Sequence, residues 1–230
     1  LSLHSLRRLG LMRCKSLTSL ISNTHLKSLI DLNLERCSRL NKFSVTSENH
    51  EFELYLSSTL INDELCSSSG CLSKLDTLRL NDCKSVKTLP YKLSDLRNLR
   101  RLEANRCNKL APNLRSIFDE VRTLEFLELG NCSELFELPD NISLLSSLCL
   151  LYIRGTNIET LPLSIKHLSS LQELHLVECK RLHFLPELPP FISTLDTQNC
   201  LSFRTLHLSH IQNYDGPNVN FIFTNCKLDG

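Results

Sequence analysis

A chain of 230 residues, 41% apolar and 22% charged, carries enough apolar material for one large buried core or two small ones, and its net charge of +1 excludes the basic excess expected of a nucleic-acid binder. The longest uncharged stretch, Asn141 to Ile153, is 13 residues long and broken by serines, too short to span a bilayer. With no Met at position 1 and a leucine pattern already running in "LSLHSLRRLGLMRC", the sequence reads as a piece of a longer protein, so the lack of a signal peptide fixes no compartment.

Taken in chain order, Leu6, Leu9 and Leu11 precede Cys14, and Leu29, Leu32 and Leu34 precede Cys37 at the same offsets. From Ser44 to Cys71 the leucines thin out; Leu54 and Leu56 still suit a strand, so residues 44–71 read as one degraded repeat with an exposed loop around Ser67–Gly70. The clearest unit runs from Leu75 to Leu99. There Leu75, Leu78 and Leu80 point into a core while their neighbours face outward, because side chains alternate along a strand. Cys83 follows at the turn, where a small side chain with a weak S–H donor is expected to reach a backbone carbonyl of the next unit. Val86 and Leu89 fill the second wall, Pro90 starts an extended return, and Leu93, Leu96 and Leu99, spaced by three, close the coil with a tight helical or 3₁₀ turn.

Leu124, Leu127 and Leu129 lead to Cys132, and Leu171, Leu174 and Leu176 lead to Cys179. Between them "LCLLYIRGT" puts Thr156 where a cysteine is due, its hydroxyl expected to act as the thiols do. "LP" recurs at Leu138-Pro139, Leu161-Pro162 and Leu185-Pro186. After Pro186 the unit ending at Cys200 is short and proline-rich, and the leucine phase then fades into a tail read as a cap or the opening of a following domain.

Cys14, Cys37, Cys83, Cys107, Cys132, Cys179 and Cys200 stand 23, 46, 24, 25, 47 and 21 residues apart, and Thr156 splits the gap of 47. A period in the low twenties is that of leucine-rich repeats, each giving one short parallel strand and one return segment. The fold expected is therefore an α/β solenoid: a curved leucine-rich repeat of eight or nine coils, with parallel concave strands and an irregular, 3₁₀ or short-helical convex side. Residues 1–187 form the repeat domain in this reading, and 188–230 the cap and the beginning of the next domain.

Eleven cysteines are an odd number, spread at repeat spacing rather than clustered; the closest pair, Cys66 and Cys71, lacks zinc-site spacing, and many free thiols point to a reducing compartment. No metal site is expected. No phosphate loop, G-x-G-x-x-G, G-x-S-x-G or H-E-x-x-H occurs, and His167, His175 and His183 belong to no arguable catalytic set, so no enzyme activity is expected. Two N-x-S triplets, at Asn131 and Asn141, are weak glycan acceptors given the reduced cysteines.

Binding then falls to the outward residues of the strands, one short row per repeat. Nine rows at about 4.8 Å make a face on the order of 40 Å long, a fit for a protein partner. The rows begin with Arg7, Arg8 and Arg13, then Asp31, Asn33, Glu35 and Arg36, then Asp76, Arg79 and Asp82. The patch we single out is Arg100, Arg101, Glu103, Asn105 and Arg106 beside Glu125, Phe126, Glu128 and Asn131, continuing through Tyr152 and Arg154 to Gln172, Glu173, His175 and Glu178. Arginines and aromatics are common interface anchors, and the interleaved carboxylates argue against phosphate.

The stretches "LRLNDCKSVKTLP", "LELGNCSELFELPDNISLLSSL" and "LYIRGTNIETLPLSIKHLSSLQELHLVECKRLHFLPELPP", then "LDTQNC" and "FIFTNCKL", in that order, resemble the leucine-rich-repeat region of plant intracellular immune receptors of the TIR-NB-LRR type. The resemblance implies an upstream TIR domain that cleaves NAD and an ADP/ATP-binding switch, neither in this chain. It also implies a repeat region that restrains that switch until a pathogen effector binds, followed by oligomerisation of the receptor. A cytoplasmic location is implied, with the nucleus as a further one, and neither nucleic acid nor membrane as partner. From Asn218 to Leu228 the resemblance marks the start of the post-repeat domain. Two other readings fit less well: an F-box ubiquitin-ligase substrate adaptor, whose units are longer and carry a proper convex helix, and an extracellular receptor ectodomain, whose N-x-L-x-G-x-I-P turns are absent.

Overall fold

The computed structural model describes residues 5–21, 26–62, 72–89, 96–204 and 219–227, which fall in two units, Leu1–Asn113 and Leu114–Gly230. The first holds β1 (Arg8–Gly10), β2 (Ser19–Ile21), β3 (Asp31–Asn33), β4 (Lys42–Ser44), β5 (Phe52–Tyr55), β6 (Leu75–Arg79) and β7 (Arg101–Glu103). β1, β3, β5, β6 and β7 pair in parallel, each to the next, with Leu9, Leu32, Leu54, Leu78 and Leu102 in one column, and β2 pairs with β4 separately. From β3 onward the column leucines are completely buried, whereas Leu6, Leu9 and Leu11 of the first rung are half-buried.

The second unit opens with α1 (Leu114–Glu120), followed by β8 (Phe126–Glu128), β9 (Leu150–Tyr152), β10 (Glu173–His175), β11 (Thr194–Asp196) and β12 (Asn220–Ile222). These five strands are again parallel and in register, with Leu127, Leu151, Leu174, Leu195 and Phe221 aligned. Leucine-rich-repeat geometry is thus present in each unit.

Two segments differ from expectation. Residues 44–62, read as a degraded repeat, bury Val45, Phe52, Leu54 and Leu56 and form β5, which pairs with β3 in register and with β6 through an irregularity between Phe52 and Glu53. Past residue 187 the ladder runs on through β11 and β12, and over its described residues the segment assigned to a following domain has repeat geometry. The expected Ser67–Gly70 loop, Pro90 and Leu93 lie outside the described residues.

Every strand except β2 and β4 ends in the same turn. The residue before each ladder position has positive φ: Arg13, Arg36, Ser58, Asp82, Arg106, Asn131, Gly155, Glu178, Asn199 and Asn225, all between 57° and 64°. In the unit at Leu80, the Cys83 N–H donates to the Leu80 carbonyl at 3.0 Å, a four-residue turn with positive φ at its third residue, the signature of type II. That conformation aims the Asp82 N–H at the next coil, where it donates to the Asn105 carbonyl at 2.9 Å; Arg36, Ser58 and Glu178 do likewise at 2.8 Å. Backbone pairing between coils therefore extends beyond the strand.

The ladder thiols point the other way. Cys37 donates to Leu11 O at 3.0 Å, Cys83 to Leu56 O at 3.2 Å, Cys107 to Leu80 O at 3.0 Å, and Cys179, Cys200 and Cys226 each donate backward at 3.1 Å. The acceptor belongs to the preceding coil, not the next one as the sequence suggested, because the turn folds the side chain back under the strand just left. Thr156 also departs from expectation. With its shorter C–O bond it donates to Ile153 O of its own coil at 2.9 Å, and the Cys179 thiol lies 3.4 Å away. Thr59, unrecognised in the sequence, does the same with Leu56 O at 2.7 Å, and Cys226 adds a further ladder position. Cys132 is buried, but Cys14 is exposed, since no described strand lies on its other side. All nine described cysteines are free thiols.

The return segments follow from a spacing of three. Pro139 and Pro162, extended at ψ 147° and 146°, precede 3₁₀ turns at Asp140–Leu144 and Leu163–His167. Ile142 donates to Pro139 O at 3.0 Å, and Leu145 to Ile142 O and Leu148 to Leu145 O at 2.9 Å, so each buried apolar residue bonds the one three before it. Polar side chains tie successive returns: Asn141 donates to Arg115 O at 2.8 Å and Asn157 to Ser133 O at 2.9 Å. The Asn141 amide, a candidate glycan acceptor by sequence, is thus engaged within the fold.

Two expectations follow. At Gly155 (φ 64°) an added β-carbon meets Asn131 Oδ1 at 2.6 Å, so Gly155→Ala is expected to cost about 2 kcal/mol by strain and clash, while Glu178→Gly, at the same turn position, stabilises by up to about 1 kcal/mol; urea midpoints of the two variants check this. Burial raises the Cys83, Cys179 and Cys200 thiols above their ordinary 9.0, Cys200 to about 12. Since these pKa values rise on folding, the ladder's contribution is complete below pH 9 and is lost as pH climbs from there towards 12. Unfolding midpoints in reducing buffer across that window are expected to fall, and Cys200→Thr to shallow the decline.

Candidate functional site

Outward positions alternate with the buried leucines, so the sequence places the face, but its chemistry differs between the units. In the first unit, the charges on and beside β6 and β7 are matched in pairs. Glu103, only 8% exposed, has Arg79 Nε at 3.1 Å, Arg101 Nη1 at 3.7 Å and the Asn81 amide at 3.5 Å. Arg79 contacts the carboxylate as an ion pair without an aligned Nε hydrogen bond, and its guanidinium lies 4.8 Å from the Tyr55 ring centre. Tyr55 donates to Glu53, and burial together with that carboxylate raises the phenol so that it stays protonated. Burial, then the Glu53 charge, raises Asp31. Arg100 is 3.7 Å from Asp76, and Arg106 is 3.6 Å from Asp82.

Of the predicted first-unit residues, Arg101 and Glu103 lie on β7, Arg100 just before it, and Asn105 and Arg106 in the turn after it. The Asn105 N–H is fixed by Asn81 Oδ1 at 2.8 Å. These arginines are therefore held by carboxylates of their own face rather than forming a basic row.

In the second unit the strands line up aromatic rings. Tyr152 on β9 stacks on Phe126 of β8 (centroids 5.3 Å apart, 29° between planes) and on His175 of β10 (4.1 Å, 11°). Tyr152 and His175 occupy the same register position on neighbouring strands, so strand spacing itself brings their rings to stacking distance. Glu173 Oε2 accepts from Tyr152 Oη at 2.9 Å and lies 3.1 Å from His175 Nε2, while Asp196 Oδ2 is 3.9 Å from His175 Nδ1. Of the remaining predicted residues, Glu128 faces outward on β8, Glu125 and Gln172 precede strands, Arg154 lies in the turn after β9, and Glu178 holds the positive-φ position after β10.

Sequence reasoning missed Tyr55 and Asp196. Both alternate with buried leucines in "ELYL" and "LDT", which was the available signal. Among the described residues no cluster of His, Cys, Asp and Glu is arranged to hold a metal, and no helix is long and apolar enough to cross a membrane.

No protein-family model matches the chain. It is 34% identical over 226 residues to the disease resistance protein RPS4B of Arabidopsis thaliana, covering 96% of this chain and 18% of that protein. It is also 34% identical over 209 residues to the Arabidopsis thaliana protein SUPPRESSOR OF npr1-1, CONSTITUTIVE 1, covering 90% and 14%. The chain thus spans less than a fifth of the length of these relatives. Among solved structures, the leucine-rich-repeat domain of the type III effector XopL superposes with a TM-score of 0.57 at 20% identity, over 82% of this chain and 70% of that one. Ladder, turn and sequence relationship agree: this chain has the leucine-rich-repeat fold, and over most of its length it is homologous to the repeat region of plant disease resistance proteins of the TIR-NB-LRR type.

Proposed function

We propose that this chain is the effector-sensing repeat segment of a plant intracellular immune receptor. In this reading its strand face binds a pathogen effector protein, and the segment restrains the receptor's nucleotide-binding switch until it does. The sequence relationship to disease resistance proteins supports the class, and the Phe126–Tyr152–His175 stack is the observation that supports binding through the strand face. Aligned rings give a rigid contact surface whose side chains are already ordered, which lowers the entropy cost of association. ADP or ATP, and NAD, belong to upstream domains in this reading, with oligomerisation following release of the switch. The free thiols fit a reducing cytoplasm, or the nucleus.

The test uses the parent receptor expressed with its cognate effector in leaf tissue. Phe126→Ala with Tyr152→Ala is expected to cut effector co-purification at least tenfold and abolish the cell-death response at equal protein levels, as about 2 kcal/mol of lost hot-spot energy implies. Arg100→Glu with Arg101→Glu, which reverses the charges facing Asp76 and Glu103, is expected to weaken the response as well. Unchanged recognition by the first double variant overturns the reading.

A further inference from the structure

The second unit's face has a charge that its ring stack does not explain. Its outward strand positions and flanking turns carry five carboxylates, Glu125, Glu128, Glu173, Glu178 and Asp196, against one guanidinium, Arg154. The first unit differs: there Arg79 and Arg101 meet Glu103, Arg100 meets Asp76, and Arg106 meets Asp82. On the second unit's face His175 sits between carboxylates, at 3.1 Å from Glu173 and 3.9 Å from Asp196. Tyr152 spends both ring faces on its neighbours, and Phe126 and His175 spend one each, so much of what the stack offers a partner is a ridge of edges. Ring edges carry the positive end of the quadrupole and do not attract cations. Recognition of charge on this face must come from the carboxylates flanking the ridge.

We propose that the outward face of β8–β11 docks a cationic, arginine-bearing segment of a partner protein, its aliphatic stems along the Phe126–Tyr152–His175 ridge and its guanidinium groups on Glu128, Glu173 and Asp196. This rests on the strand-face reading above and names the chemistry of the partner. A guanidinium fits because its planar fork pairs with carboxylates through directed bonds, and this weakly hydrated group on an aliphatic stem tolerates an apolar ridge. Glu173 keeps Oε1 for a single bond of this kind, since Tyr152 and His175 both engage Oε2.

The experiment uses the whole chain and three labelled twelve-residue peptides, alternating Arg-Ser, Gln-Ser or Glu-Ser, followed by fluorescence anisotropy. The Arg-Ser peptide is expected to bind at least about tenfold more tightly than the other two, and to weaken about fivefold or more as salt rises from about 50 to about 300 mM, because exposed charges are screened over that range. Glu173→Gln with Asp196→Asn is expected to lower that affinity about tenfold. Glu134→Gln with Glu137→Gln, exposed carboxylates outside the strands, leaves it unchanged. Thermal unfolding checks that both variants fold.

Equal binding of the three peptides, or equal loss in both variants, shows attraction to net charge alone and overturns the proposal. The parent receptor separates this from the broader reading. If Phe126→Ala with Tyr152→Ala abolishes effector recognition but Glu173→Gln with Asp196→Asn does not, the face binds its partner without cationic docking. If neither variant affects recognition, the strand-face reading itself fails.

Discussion

The fold depends on one backbone carbonyl per coil and the two donors that converge on it. Leu80 O accepts the Cys83 N–H of its own turn and the Cys107 thiol of the following coil, both at 3.0 Å. Leu176 O accepts from Cys179 N and the Cys200 thiol, both at 3.1 Å. Where threonine replaces cysteine, its hydroxyl stands in for the turn donor: Ile153 O takes Thr156 Oγ1 at 2.9 Å and the Cys179 thiol at 3.1 Å. A carbonyl at the end of a buried strand would otherwise lack a partner, and leaving it so costs on the order of 1–3 kcal/mol. Meeting that need once per coil holds turn, strand and neighbouring coil in one register.

The same need explains why the ladder residue is small and apolar with a donor, and why its thiol is inert. Burial raises the pKa of Cys83, Cys179 and Cys200, so the proton that makes the bond stays in place and thiolate chemistry is suppressed. The residue before it must adopt positive φ to send its own N–H forward. Arg, Asp, Glu and Ser accept that strain in six of the turns, alongside Asn in three and Gly in one, because the forward hydrogen bond offsets it. Side chains at these positions therefore stand at the strand ends, a second tier beside the strand face that includes Arg106 and Glu178.

Differences in outward side-chain chemistry are laid over this repeating frame. The first unit's outward charges close on one another around Glu103, which is nearly buried, while the second unit's carboxylates surround a stack of rings. A frame that fixes the strand positions leaves the outward residues free to vary, and their register sets which ones meet. Tyr152 meets His175 because each stands one position past the column leucine of its own strand.

The repeat, its period, the inward leucines and the ladder positions from Cys37 to Cys200 were legible in the sequence, because a side-chain alternation of two and an apolar spacing of three map directly onto strand and 3₁₀ turn. The outward rows were legible as candidates for the same reason. Residues 44–62 read as degraded because Phe52 and Thr59 fill leucine and cysteine roles with different letters, and shape and donor capacity matter to the core more than identity. Tertiary structure alone decided the direction of the thiol bonds, the positive φ at each turn, the continuation of the ladder through Asn220–Ile222, and which charges neutralise which. Those depend on distances between coils some two dozen residues apart in the chain, and a one-dimensional pattern carries the order of such residues but not their separation in space.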